Sequence, residues 1–337
     1  MRIAILAPIA WRTPPEGYGP WEQVASTITE ALVKKGYEVS LFASGNSITS
    51  ARLEAICELP YETDKNSDPK VLECLHISNL MEQAEDFDII HNHFDFLPLT
   101  YTRLIETPMI TTIHGFSSPK ILPVYKKYDS SVAYISISNA NRHKDLNYLD
   151  TIYHGVDPAH FTFRRKKEDY LLYFGRIHPE KGLHAAIEIA EKSGYDLKIA
   201  GLIQDENYFR NEIEPSINGR NIEYLGNLGK DERDKILGGA KALLHPIFFE
   251  EPFGLSVLEA MMCGTPVIAF SRGSMPELIK NGVTGFLVHT IKEAVTAVRK
   301  LGEIEPASCR LHAETNFSLE KMITSYIKAY KTVIKHY

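Results

Sequence analysis

The chain has 337 residues, of which 44% are hydrophobic and 24% charged, with a formal net charge of -6 and a pI near 6.1. That length supports two domains with cores of their own, and the acidic balance argues against nucleic acid as a partner. No apolar run approaches the roughly 20 residues that span a bilayer, so no membrane insertion is expected.

Residues 2–7 are too short for the apolar core of a signal peptide and predict a buried first strand. A helix is expected over 21–35, ending at Gly36, and a second strand over 37–43. A helix over 71–84 and short β-rich runs over 87–91, 109–113 and 133–138 complete the first half. Residues 158–167 read as a linker, and its basic run, Arg164 to Lys167, as a solvated joint.

The alternation then starts again. Strands are expected at 170–174, 197–200, 222–225, 242–245, 266–270 and 285–288, with helices at 183–193, 231–237, 255–262 and 291–301. Strands alternating with helices imply parallel sheets covered on both faces, here two Rossmann-like doubly wound α/β domains in series. In the tail, 319–337, Met322, Ile323, Tyr326, Ile327, Tyr330 and Val333 form one stripe of an amphipathic helix. Four scattered cysteines (Cys57, Cys74, Cys263, Cys309) make no C-x-x-C pair, which argues against a zinc site or disulfide scaffold and fits a reducing cytoplasm.

The most informative segment is Glu251-Pro252-Phe253-Gly254-Leu255, with a second glutamate at Glu259. A carboxylate precedes a turn, the turn opens a helix, and the helix carries another carboxylate one turn in. A helix N-terminus attracts phosphate through its unspent N–H groups. Carboxylates on either side accept hydrogen bonds from hydroxyls. Diphosphate flanked by hydroxylated rings describes a nucleotide-sugar, although two glutamates at this spacing also occur as a solvated pair.

Earlier in the same half, Gly175-Arg176 and Lys181-Gly182 follow the strand 170–174. A guanidinium fork and a mobile ammonium can together neutralise a diphosphate, or can simply be two solvated cations on a loop. In the first half, Gly17 and Gly19 lie between the first strand and first helix. They lack the third glycine of the dinucleotide fingerprint, and no acidic residue ends the second strand, which counts against an NAD enzyme. His114 ends the strand 109–113; a lone histidine there is also a common structural residue. His91 and His93 share one face of a strand, with Asp95 nearby; they lack the further ligands of a metal site and read instead as lining a cleft. Asp86-Phe87-Asp88 spells D-x-D ahead of a strand and reads as a solvated turn.

The order Gly-Arg-x-x-x-x-Lys-Gly, Glu-Pro-Phe-Gly, Cys263-Gly264-Thr265-Pro266, Gly273-Ser274-Met275-Pro276-Glu277 and Gly282-Val283-Thr284-Gly285 resembles the retaining glycosyltransferases of family 4 (glycosyl transferases group 1) over nearly the whole chain. The opening stretch is similar to a branch that includes a transferase of oligosaccharide-antibiotic assembly. The resemblance implies the GT-B fold, two Rossmann-like domains facing each other across a cleft. Residues 1–157 would bind the acceptor and 158–317 the donor, with 318–337 a helix returning to the first domain.

It further implies that Arg176 and Lys181 grip the leaving diphosphate. Glu251 would hold a donor-sugar hydroxyl and Glu259 the ribose hydroxyls, while the backbone of Phe253, Gly254 and Leu255 contacts sugar and phosphates. Gly17 and Gly19 would face the donor phosphate, with Pro20 removing one N–H from that loop, and His114 would lie beside the reacting sugar.

The implied activity is transfer of a hexose from a nucleoside-diphosphate sugar, of UDP-glucose or GDP-mannose type, with no metal or other cofactor required. The acceptor would be a saccharide, a small molecule or a lipid-linked hydroxyl, and the location cytoplasmic. A sugar-nucleotide epimerase of the same fold and a non-catalytic nucleotide-sugar-binding protein are the alternatives.

Overall fold

The computed structural model describes residues 1–116 and 118–336. The chain divides into two compact units. The first comprises Met1–Ile137, Arg142–Tyr153 and the chain from Met322 onward; the second comprises Ser138–Asn141 and His154–Lys321.

Among the described residues the first unit holds a seven-stranded sheet: β1 (Arg2–Leu6), β2 (Glu38–Phe42), β3 (Arg52–Glu54), β4 (Ile89–Asn92), β5 (Met109–Ile113), β6 (Ala133–Ser136) and β7 (Tyr148–Thr151). Every pairing is parallel, in the order β3-β2-β1-β4-β5-β6-β7. All residues of β4 and β5 are buried, as expected for inner parallel strands covered on both faces. Leu6, Phe42, Ile90, Tyr125 and Tyr134 belong to the core on one side.

The helix Pro20–Lys34 starts with proline in its first turn, where the missing N–H costs nothing. The helix Pro69–Met81 starts where the Asp68 side chain accepts from Lys70 and Val71 N–H groups. The last helix, Leu319–His336, buries Met322, Ile323, Tyr326, Ala329 and Tyr330. Tyr330 and Tyr326 hydrogen-bond to His91 and Thr112 of the first unit's sheet.

The second unit holds a six-stranded parallel sheet: β8 (Tyr170–Phe174), β9 (Asp196–Ala200), β10 (Ile222–Tyr224), β11 (Ala242–His245), β12 (Val267–Phe270) and β13 (Gly285–Val288), in the order β10-β9-β8-β11-β12-β13. Its core includes Leu171, Ile187, Ile199, Leu244 and Ile268.

Both sheets reverse direction of growth at one point, between β1 and β4 in the first and between β8 and β11 in the second. At such a point the loops leaving the two carboxyl ends run to opposite faces and leave a crevice, where doubly wound sheets bind ligands. Arg176, Lys181 and Glu251 all lie on the two loops that leave β8 and β11.

One expectation is corrected. Lys167 is not a solvated joint residue: its ammonium donates to the Gly238 and Cys263 carbonyls and to Thr265 Oγ1 at 2.8–3.1 Å. Burial pushes its pKa down to about 8. A long apolar stem carries the charge to orphan carbonyls at helix ends, so a basic run in sequence need not be a solvated face.

Candidate active site of the second unit

After β8, Tyr173 OH donates to the Arg176 carbonyl at 2.8 Å and fixes the start of the loop. A single turn, Pro179–Lys181, ends at Gly182, which takes the left-handed conformation (φ +71°). A Cβ on Gly182 would stand 1.9 Å from the Pro246 carbonyl oxygen, just beyond β11. The two loops of the switch point touch backbone to backbone there, and only glycine permits it. Gly182→Ala is accordingly expected to cost at least about 2 kcal/mol, from both the forbidden φ and the collision. Chemical denaturation of the variant checks this; wild-type stability would contradict it.

That contact delivers Lys181 to Glu251. The ammonium donates to Glu251 Oε2 at 2.6 Å, and their side chains are 14% and 10% exposed. Lys181 also sits 4.4 Å from the centroid of the Phe249 ring. His245, the last residue of β11, places Nε2 3.5 Å from the same carboxylate oxygen. Burial alone would raise the Glu251 pKa, but Lys181 and His245 outweigh it and bring the pKa down to about 2. Glu251 is therefore a firmly ionised acceptor and a very weak base.

The backbone around Glu251 is equally constrained. Gly273 (φ +54°) would carry a Cβ 2.3 Å from both the N and the O of Glu251. Ser274 N–H donates to the Glu251 carbonyl at 2.9 Å, and Ser274 Oγ donates to the Phe253 carbonyl at 2.5 Å. Phe253 is buried against His154 and Phe317, so it offers its backbone and not its ring. Gly254 (φ +96°) caps the helix Leu255–Met262 without any side-chain cap. Val257 and Leu258 N–H bond back to the Gly254 carbonyl, which leaves the Leu255 and Ser256 N–H groups to a ligand or water.

Glu259 lies one turn into this helix, with 8% of its surface exposed. Burial raises its pKa, and Arg233, with Nη1 3.6 Å from Oε1, opposes that. Arg176 is half-exposed and donates to the side-chain oxygen of Gln204, beyond β9. Of the residues singled out from sequence, Lys181 and Glu251 meet directly. Arg176 and Glu259 instead face partners that the sequence did not suggest, Gln204 and Arg233. His245 and Phe249 were likewise missed.

The first unit has its own polar cluster at the carboxyl ends of β4 and β5. His114 is buried, with Nε2 2.8 Å from His93 Nδ1, and stacks on Trp21 at 5.5 Å between centroids. One of those two ring nitrogens must carry the proton and the other must not. His91 is fully buried between Tyr330 OH (2.7 Å) and Thr112 Oγ1 (2.8 Å), and burial holds it well below its ordinary value. It is a packed sheet residue and does not line a surface.

Gly17 is exposed, and Gly19 (φ +151°) would place a Cβ 2.8 Å from Pro15. Beside them Glu22 is buried, accepts from Trp11 N–H at 3.2 Å, and is raised by that burial to about 7. Asp88 is no free turn carboxylate, since it accepts from the Arg2 backbone at 2.8 Å and pairs with its guanidinium at 3.0 Å. Among the described residues no group of His, Cys, Asp or Glu is placed to hold a metal, and no helix is long and apolar enough to cross a membrane.

Residues 159–315 match the family model "Glycosyl transferases group 1" and residues 22–160 match "Glycosyltransferase Family 4". An uncharacterized glycosyltransferase of Methanocaldococcus jannaschii is 24% identical over 86% of this chain and 85% of its own. Glycogen synthase of Mycobacterium tuberculosis is 25% identical over 85% and 81%. Among solved structures, AviGT4, a glycosyltransferase of avilamycin A biosynthesis, superposes with TM-score 0.73 at 22% identity, covering 99% of this chain and 98% of its own. Anabaena HepE in complex with UDP-glucose superposes with TM-score 0.75 at 17% identity, covering 98% and 100%. These structural likenesses establish the fold, two parallel-sheet α/β domains of the GT-B type.

Proposed function

The chain belongs to the family 4 glycosyltransferases of group 1, and from that premise we propose that it moves a hexose from a nucleoside-diphosphate sugar to an acceptor hydroxyl with retention of configuration. The observation that carries this reading is the Lys181–Glu251 pair beside an uncapped helix start at the switch point of the second unit. The diphosphate lies against the N–H groups of the helix Leu255–Met262, with Arg176 and Lys181 neutralising it. Glu251 accepts from a sugar hydroxyl and Glu259 from the ribose.

In the transfer step the bond between the anomeric carbon and the diphosphate oxygen breaks. The acceptor oxygen bonds to that carbon on the same face, and its proton passes to a departing phosphate oxygen. A Glu251 carboxylate held at about 2 supports this assignment of the base, because it cannot compete for the proton at neutral pH. The cations and the helix start stabilise the leaving diphosphate, so the step calls for no metal. Acceptor recognition falls to the first unit, where His114 orients hydroxyls. UDP-glucose is the preferred donor; HepE, of the same fold, has been seen with that molecule.

The test is product analysis by proton NMR, with UDP-glucose and GDP-mannose as donors and a panel of saccharide acceptors. An α-configured glycoside from an α-donor is the expected product. A donor sugar inverted at one carbon without acceptor would identify an epimerase and overturn the reading.

A further inference from the structure

We propose that Arg233 is a positioning residue of the nucleotide site, keeping Glu259 charged and its lone pairs open for the ribose hydroxyls. The inference rests on the reading of Glu259 as the ribose acceptor. Arg233 lies one turn into the helix Lys230–Gly239, beside the helix that carries Glu259. The two side chains are 24% and 11% exposed, and Nη1 stands 3.6 Å from Oε1.

At that separation the guanidinium is a charge partner and not a hydrogen-bond donor, so it does not occupy the carboxylate's lone pairs. An ionised carboxylate offers an acceptor oxygen to each of two neighbouring hydroxyls; protonation turns one of those oxygens into a donor. Burial drives Glu259 toward that protonated form, and Arg233 is the cation opposing it. Glu259 and Arg233 are thus coupled: the acid reads the sugar ring of the nucleotide only while the base stands behind it.

The experiment is calorimetric titration of UDP and GDP, each alongside its 2′,3′-dideoxy form, into the wild type, Arg233→Met, Arg233→Lys, Glu259→Gln and the Arg233→Met/Glu259→Gln double variant. Loss of the ribose contact is expected to weaken the accepted nucleotide about tenfold in Arg233→Met, and to leave its dideoxy form unchanged. Arg233→Lys restores most of the affinity, and the double variant is no weaker than Glu259→Gln. If Arg233→Met does not fold, Arg233→Gln, which keeps a polar stem, carries the same comparison.

Unchanged affinity in the Arg233 variant, with Glu259→Gln still losing the preference for ribose, overturns the Arg233 inference alone. A wild type that binds nucleotide and dideoxy form equally, or binds neither UDP nor GDP, overturns the reading of Glu259 and this inference with it.

Discussion

Lys181→Met is expected to lose about 4 kcal/mol of stability at neutral pH and to abolish transfer, because it strands Glu251 as a buried, uncompensated carboxylate. The pH dependence identifies the cause. In the intact pair the Glu251 carboxyl falls from its ordinary 4.5 to about 2 in the folded chain. Its contribution is therefore fully present above 4.5 and fades as pH falls through 2. Without Lys181, burial dominates and raises the folded value above the ordinary one, although His245 still stands 3.5 Å away.

The variant's deficit is then greatest at neutral pH and shrinks as the solution is acidified toward about pH 4. Denaturant titrations of both proteins at several pH values read this directly. A deficit independent of pH would mean that Lys181 acts through its packing on Phe249 and not through its charge.

Arg176→Ala should show the opposite division between folding and chemistry. The guanidinium is half-exposed and meets Gln204, so its loss leaves no buried charge behind, and stability should move by less than about 1 kcal/mol. Turnover should fall about 100- to 1000-fold, the scale of removing one preorganised donor from a developing charge. The loss should appear in kcat with little change in KM, since the leaving diphosphate gains charge only as the glycosidic bond breaks. Steady-state kinetics on the folded variant measure it, and normal turnover would remove Arg176 from the proposed chemistry.

Much of this arrangement was legible in the sequence where period and punctuation agreed. The strands Tyr170–Phe174, Ala242–His245 and Gly285–Val288 and the helices Leu183–Ser193 and Leu255–Met262 fall at the expected bounds. Each is an apolar run closed by glycine or a turn. The strands Arg52–Glu54 and Tyr148–Thr151 escaped because they lie at the sheet edges, short and largely unburied, with mixed polarity. The helix Pro306–Phe317 escaped because its buried stripe is only Cys309, Ala313 and Phe317, two of them small.

The partners of the site residues were illegible for a different reason. Arg233 and Glu259 are brought together by two helices packing side by side, and His245 reaches Glu251 because a strand end meets a loop. No local pattern records either approach. The close glycine contacts occupy a middle position: Gly182 and Gly273 stand inside recognisable motifs, yet only the backbone geometry shows that each exists to let one loop touch another.

The central claim is that the second unit is built to bind a nucleoside-diphosphate sugar. Thermal melting with a panel of UDP- and GDP-sugars, first without metal and then with magnesium, tests it most directly, because a ligand that binds the folded state raises the midpoint by mass action. The expected result is a clear upward shift with sugars of one nucleotide, unchanged by magnesium and reduced in Glu259→Gln. No shift with any member of the panel would contradict the assignment of Arg176, Lys181, Glu251 and Glu259 to a donor site.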